Sequence, residues 1–164
     1  MKIPLLLTAA LMLAAPALAR AEDQLILHGE RIGPVSLGMS ESQVLEALGE
    51  PASSFPVQEG EVVLFFDHPD LGVTLVDQGK DGHRIVDAVS TDSAEFADAH
   101  GIRVGSSSSD VIAAYGSGYE LSDDEGTRIL WYHDAGIRFD FGPAGDAVNA
   151  IEVSLSRAEF LDAP

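Results

Sequence analysis

The chain has 164 residues, 46% of them apolar and 22% charged, a globular balance that excludes wholesale disorder and a large multidomain enzyme. Acidic residues number 27 against 9 Lys plus Arg, a formal charge of −18, so nucleic acid and anionic membrane, which need basic patches, are poor partners. Cysteine is absent, which removes disulfides, thiolate nucleophiles, Cys-based zinc sites and a lipid-bearing Cys.

The first nineteen residues read as a signal peptide. Lys2 supplies the positive start, Ile3 to Leu13 is apolar apart from Pro4 and Thr8, and Pro16 followed by Ala17-Leu18-Ala19 makes a small-residue cleavage box; Ala19-Arg20-Ala21 is a second possible box. A membrane span needs about 20 apolar residues, and this run ends before the polar stretch Arg20 to Asp23. The expected product is soluble and periplasmic or secreted, with no membrane span and no lipid anchor.

Leu25 to Leu27 reads as a short strand. From Gly38 to Gly49 the sequence is GMSESQVLEALG, and 67 residues later, from Gly105 to Gly116, it is GSSSSDVIAAYG. Six of the twelve positions coincide, among them both flanking glycines, Ser40 with Ser107 and Val44 with Val111. Ser40 and Ser107 suit helix N-caps, with Gln43 and Asp110 three residues on. Val44, Leu45 and Leu48, and then Val111, Ile112 and Tyr115, form the buried stripe of a short helix. Gly49 and Gly116 stand where a helix stops in a left-handed turn.

After the first helix, β-branched and aromatic runs predict strands over Glu61 to Asp67, Leu71 to Val76 and Ile85 to Val89, with a turn at Gly79 to Gly82. After the second come Arg128 to Asp134, Gly136 to Phe141 and Val148 to Leu155. Between the two sets, Ser93 to His100 reads as a short helix carrying Phe96. The expected fold class is α+β: a tandem repeat of one short helix plus a three-stranded antiparallel meander, with the helices packed on one face of the sheet. The expected division is a signal peptide over 1–19, a first repeat over 20–95 and a second over 96–164, packed as one body because about 60 residues bury little alone. Alternation of Ile137, Phe139 and Phe141 with Arg138 and Asp140, and of Ile151 and Val153 with Glu152 and Ser154, makes one sheet face apolar and the other polar.

The order Gly-Met-Ser-x-x-Gln-Val-x-x-x-Leu-Gly-x-Pro from Gly38 to Pro51, with Trp131-Tyr132 followed by Phe139 and Phe141, resembles SmpA/OmlA-like domains of the outer-membrane β-barrel assembly machinery. Two such units in tandem are similar to the β-lactamase-inhibitor-protein superfamily, whose paired repeats form a concave sheet that grips an enzyme. The resemblance spans Ile32 to Leu155 and implies a protein-binding sheet in the cell envelope. With no cysteine, this chain has neither the lipid anchor of the first relative nor the disulfides of the second.

Catalytic patterns are missing from the sequence. Gly116-Ser117-Gly118 lacks the flanks of a nucleophile elbow, and Ser106 to Ser109 is accounted for by capping. His28, His68, His83, His100 and His133 form no metal-ligand spacing, although His68 between Asp67 and Asp70, and His133 beside Asp134, are the places where a weak site would lie. The carboxylates of Asp77 to Asp87 and Asp123 to Glu125 do not follow a calcium-loop pattern, and Gly101 to Gly105 is no phosphate loop. No enzyme activity, cofactor or metal is expected. What remains is aromatic: in Leu64-Phe65-Phe66 and Leu130-Trp131-Tyr132-His133, alternation sends neighbours to opposite faces, so at least one aromatic per strand leaves a helix-covered core unless two sheets pack face to face. Phe65, Phe66, Trp131, Tyr132, His133 and Arg138 are the candidate partner-binding residues, and the charge favours a basic protein partner. The expected role is that of a non-enzymatic binding or adaptor protein; the alternatives are an inhibitor of a lysozyme- or β-lactamase-type hydrolase, or a small-ligand carrier.

Overall fold

A computed structural model describes residues 23–78, 83–124, 126–142 and 145–155. The signal-peptide reading of 1–19 and the turn at Gly79 to Gly82 lie outside them. Three two-residue strands come first, β1 (Ile26–Leu27), β2 (Arg31–Ile32) and β3 (Val35–Ser36), joined as a small antiparallel sheet. Helix α1 (Glu41–Leu48) follows, then β4 (Ser53–Gln58), β5 (Glu61–Asp67), β6 (Asp70–Asp77) and β7 (Arg84–Thr91). Helix α2 (Ser108–Tyr115) is followed by β8 (Glu120–Asp124), β9 (Thr127–Tyr132), β10 (Ile137–Phe141) and β11 (Val148–Ser154). These last eight strands form one antiparallel sheet in the order β4-β5-β6-β7-β11-β10-β9-β8.

This architecture corrects the expected fold class. The described chain is mainly β, its two described helices have eight residues each, and the unit of helix plus three-stranded meander does not describe it: each of these helices is followed by four strands, and all eight share one sheet. The unforeseen strands, β4 and β8, are the sheet's two edges. Every residue of β4 is exposed, and it contains Pro56; β8 reads ELSDD. An edge strand is held by backbone pairing to one neighbour and needs no buried stripe, so it leaves no alternation in the sequence. Ser93 to His100 is not helical either; Ala97 pairs with Leu25 in a parallel bridge, and Phe96 is buried.

The helix ends follow local chemistry. Ser40 and Ser107 cap α1 and α2 with complete capping boxes: the Gln43 N–H donates to Ser40 Oγ at 3.3 Å, the Asp110 N–H to Ser107 Oγ at 3.1 Å, and the N3 side chains accept from the cap N–H groups in return. Gly49 and Gly116 close the helices at φ 80° and 81° as glycine positions, but with ψ −156° and −167° they occupy an extended region open only to glycine, not a left-handed helical turn. Eight residues are too few for a helix to stand alone. Each is pinned through the segment before it: Gly38 N–H to Val86 O and Val86 N–H to Met39 O, then Gly105 N–H to Val148 O and Val148 N–H to Ser106 O, all at 2.8 Å.

Both helices, the small sheet and the 92–104 segment cover the same face of the large sheet. Val44 and Val111 from the helices, Ile32 and Val35 from the small sheet, and Phe96 and Ile102 pack with Leu64, Phe66, Val73, Leu75, Val89, Leu130, Tyr132, Ile137, Phe139, Ile151 and Val153 in one core. The seam between the two four-stranded groups is the β7–β11 pair, with Val89 opposite Val153 and Ser90 opposite Glu152. The groups therefore join edge to edge, and among the described residues no second sheet packs against the face opposite the helices.

Candidate functional site

The uncovered face is organised by register. Ser53, Phe65, Gly72, Ser90, Glu152, Arg138, Trp131 and Glu120 are successive cross-strand partners, one from each of the eight strands, and make a single row from edge to edge. Strands lie about 4.8 Å apart, so Phe65 and Trp131, five strand steps from each other, stand about 24 Å apart across the sheet.

Phe65 is 42% exposed and meets Phe55 of β4, 58% exposed, edge to face at 5.9 Å between ring centres. At the other end Trp131 stacks on His133 at 4.3 Å, and His133 Nε2 lies 3.1 Å from a Glu120 carboxylate oxygen. In the middle, Arg138 grips Asp140 with both ends of its guanidinium, at 2.9 Å each, reaches Glu152 at 3.5 Å, and places its guanidinium carbon 6.0 Å from the Trp131 ring centre. Burial pushes the Glu152 carboxyl above its ordinary value; Arg138 pulls it down by less, while Asp140 and Asp87 push it further up. Asp87 is also raised, by burial first and by Glu61 second.

A cavity of about 340 Å³ opens beside the row, at the end of the sheet where β5 turns into β6. Phe65 walls it, and small residues form its floor: Gly72, Ser90 and Ala150. A methyl group on Gly72 would come within 2.6 Å of Ser90 Oγ and 3.4 Å of the Phe65 ring, so those two side chains lean into the space that glycine leaves. Asp67, Asp70 and Asp92 line the same cavity, and among the described residues its lining holds no Lys, Arg or His. Alternation along β5 and β6 puts Asp67 and Asp70 on the uncovered face with Phe65 and Gly72, and Asp92 directly follows the last residue of β7.

Of the six residues singled out in the sequence, Phe65, Trp131, His133 and Arg138 share this face. Phe66 and Tyr132 do not: at 4% and 5% exposure they belong to the core, and the Tyr132 hydroxyl donates to Gly116 O at 2.9 Å. Sequence reading missed Phe55, because β4 was not recognisable as a strand, and Gly72 with its three aspartates, because the cavity forms only when four strands are in register. No group of three or more potential ligands among the described residues is arranged to hold a metal ion.

No protein family's sequence profile matches the chain, and no curated protein matches it. Similarity is found among solved structures. An extracellular protein containing an SCP domain from Bacillus anthracis aligns at a TM-score of 0.51 and 10% identity, over 76% of this chain and 45% of that one. A DUF4309 family protein, YjgB, from Bacillus subtilis aligns at 0.53 and 9% identity, over 78% and 88%. The uncharacterized protein yfeY from Escherichia coli aligns at 0.49 and 14% identity, over 78% and 98%. At these identities the first two speak for a shared fold alone, and this chain spans less than half the length of the SCP-domain protein. Neither of these two is described as an outer-membrane-assembly or inhibitor protein.

Proposed function

We propose that this chain is an exported, non-enzymatic binding protein whose uncovered sheet face takes another protein, preferably a basic one. The observation that carries the reading is the row of eight cross-strand partners on a face that no other described element covers, with the exposed Phe55–Phe65 pair near one end and Trp131 near the other. Aromatic rings at rim-to-centre positions anchor protein interfaces. The edges are less suited to strand addition, since β4 carries Pro56 and a register shift and β8 is acidic. A charge of −18 speeds encounter with a basic partner. Export is supported by the signal-like residues 1–19. No described helix is long and apolar enough to cross a membrane.

The test is a photo-crosslinking amino acid placed at position 65, 131 or 46 in an exporting host, Glu46 being exposed on α1. Discrete adducts from 65 and 131, absent from 46, support the reading, and assay of the adducted protein for hydrolase activity then separates adaptor from inhibitor. Adducts from all three positions alike, or from none, overturn it.

A further inference from the structure

The cavity beside Phe65 has a chemistry of its own, and we infer that it receives a lysine or arginine side chain of the partner protein. The inference rests on the reading of the uncovered face as an interface and specifies one part of it. Three features of the cavity agree. Its floor carries only small residues, Gly72, Ser90 and Ala150, with Ser90 Oγ and the Phe65 ring filling the space directly above Gly72, so the room for a slender group lies over Ser90 and Ala150. Its wall is the half-exposed Phe65 ring, an apolar surface for an aliphatic stem and a π-face for a cation. Its rim is Asp67, Asp70 and Asp92, with no cationic residue among the described residues lining it, so a charged head finds carboxylates at the end of that stem. A bulky apolar side chain would desolvate three carboxylates without replacing their water, which the site disfavours. A long side chain with a terminal positive charge satisfies both parts. The neighbouring carboxylates Asp140 and Glu152 are already held by Arg138.

The experiment uses the isotope-labelled protein and three small probes: Nα-acetyl-lysine methylamide, its arginine counterpart, and Nα-acetyl-norleucine methylamide, which keeps the stem and lacks the charge. Saturable shifts of the backbone amides of Asp67, Gly72, Ser90 and Asp92 with the first two probes and not the third are the expected result. The double variant D67N/D92N, whose side chains are exposed, should weaken that binding roughly tenfold with its spectrum otherwise intact. Phe65→Ala should weaken it as well. Equal shifts with the norleucine probe, shifts scattered over every acidic surface, or none at these residues overturn the inference. So does saturation by free putrescine at lower concentration than the lysine probe, which would make the site one for a free diamine. Crosslinks at 65 and 131 without these shifts would remove the cavity assignment alone; shifts without crosslinks would remove the wider reading.

Discussion

Ser90 of β7 and Glu152 of β11 face each other directly across the strand pair that unites two four-stranded groups into one sheet. One step along on the buried side, Thr91 opposes Ile151, and Val89 opposes Val153. The seam therefore has a polar side facing out and an apolar side shared by the core, which makes each group the shelter of the other's apolar surface.

The first prediction concerns that sharing. Ile151 is 1% exposed, and Ile151→Ala should cost about 3 kcal/mol. The loss should appear in both groups together: Trp131 fluorescence reports β9, and amide exchange at Leu64 and Val73 reports β5 and β6. A single urea transition seen alike by both probes is expected. Two separated transitions, with β5 and β6 untouched by the substitution, would refute the shared core.

Much of this fold is written in the sequence where burial writes it. The strand Glu61–Asp67 ends where β-branched and aromatic residues end, and the alternation of Ile137, Phe139 and Phe141 with Arg138 and Asp140 is the alternation of core and uncovered face. Helix caps are equally local, since Ser40 and Gln43 meet within one turn. What was not legible is what depends on a neighbour. Ser53–Gln58 and Glu120–Asp124 become strands because β5 and β9 offer them backbone partners, and their own side chains carry no signal of it. Continuity through Ser90 and Glu152 depends on which edges meet, a relation between residues 62 positions apart. The face-sorting of Phe65 from Phe66 and Trp131 from Tyr132 was open to alternation, but which of each pair is buried was fixed only by the side the helices take.

The second prediction concerns the helix ends. Gly49 and Gly116 combine positive φ with an extended ψ, and nothing lies within 4 Å of where a Cβ would be. Space is available, so the cost of a side chain is conformational. Gly49→Ala and Gly116→Ala should each lose about 1–3 kcal/mol. Gly118, two residues on, has no positive φ and equally open surroundings, so Gly118→Ala should be neutral or stabilising by about 0.4–1 kcal/mol. Thermal midpoints of the three variants measure the difference, and equal losses at all three would refute the assignment.

The third prediction is a pH dependence. Burial raises the Glu152 carboxyl above its unfolded value, with Arg138 offsetting only part of this. The folded state then holds its proton more tightly than the unfolded chain, so the contribution of Glu152 is most favourable below the unfolded value and is lost as pH rises through the raised one. Glu152→Gln removes that penalty while Arg138 keeps its two bonds to Asp140. The variant should match the parent in acid and exceed it at neutral pH. Asp87 titrates with the same sign and is present in both proteins, so the difference between their urea midpoints reports Glu152 together with its repulsion from Asp87. Asp146 has the opposite sign: its hydrogen bonds from Ser108 and Arg128 lower it, and its contribution is lost as pH falls. A difference that shrinks as pH rises would contradict the assignment.

The last prediction sets two neighbouring aromatics against each other. Trp131 and Tyr132 are consecutive in β9, yet alternation sends Trp131 to the uncovered face, where His133 is its stacking partner, and Tyr132 into the core against Tyr115, Tyr119 and Phe139. Tyr132→Ala empties a packed aromatic cluster and strands the Gly116 carbonyl, and should cost about 3–5 kcal/mol. Trp131→Ala removes a larger ring from a partly buried position outside the core and should cost about 1–2 kcal/mol, less than Tyr132→Ala. Chemical denaturation of the pair decides it. A loss at Trp131 as large as that at Tyr132 would place the indole in the core and remove it from any binding surface, whereas a small loss with crosslinking abolished at position 65 would make it an anchor for whatever the face holds.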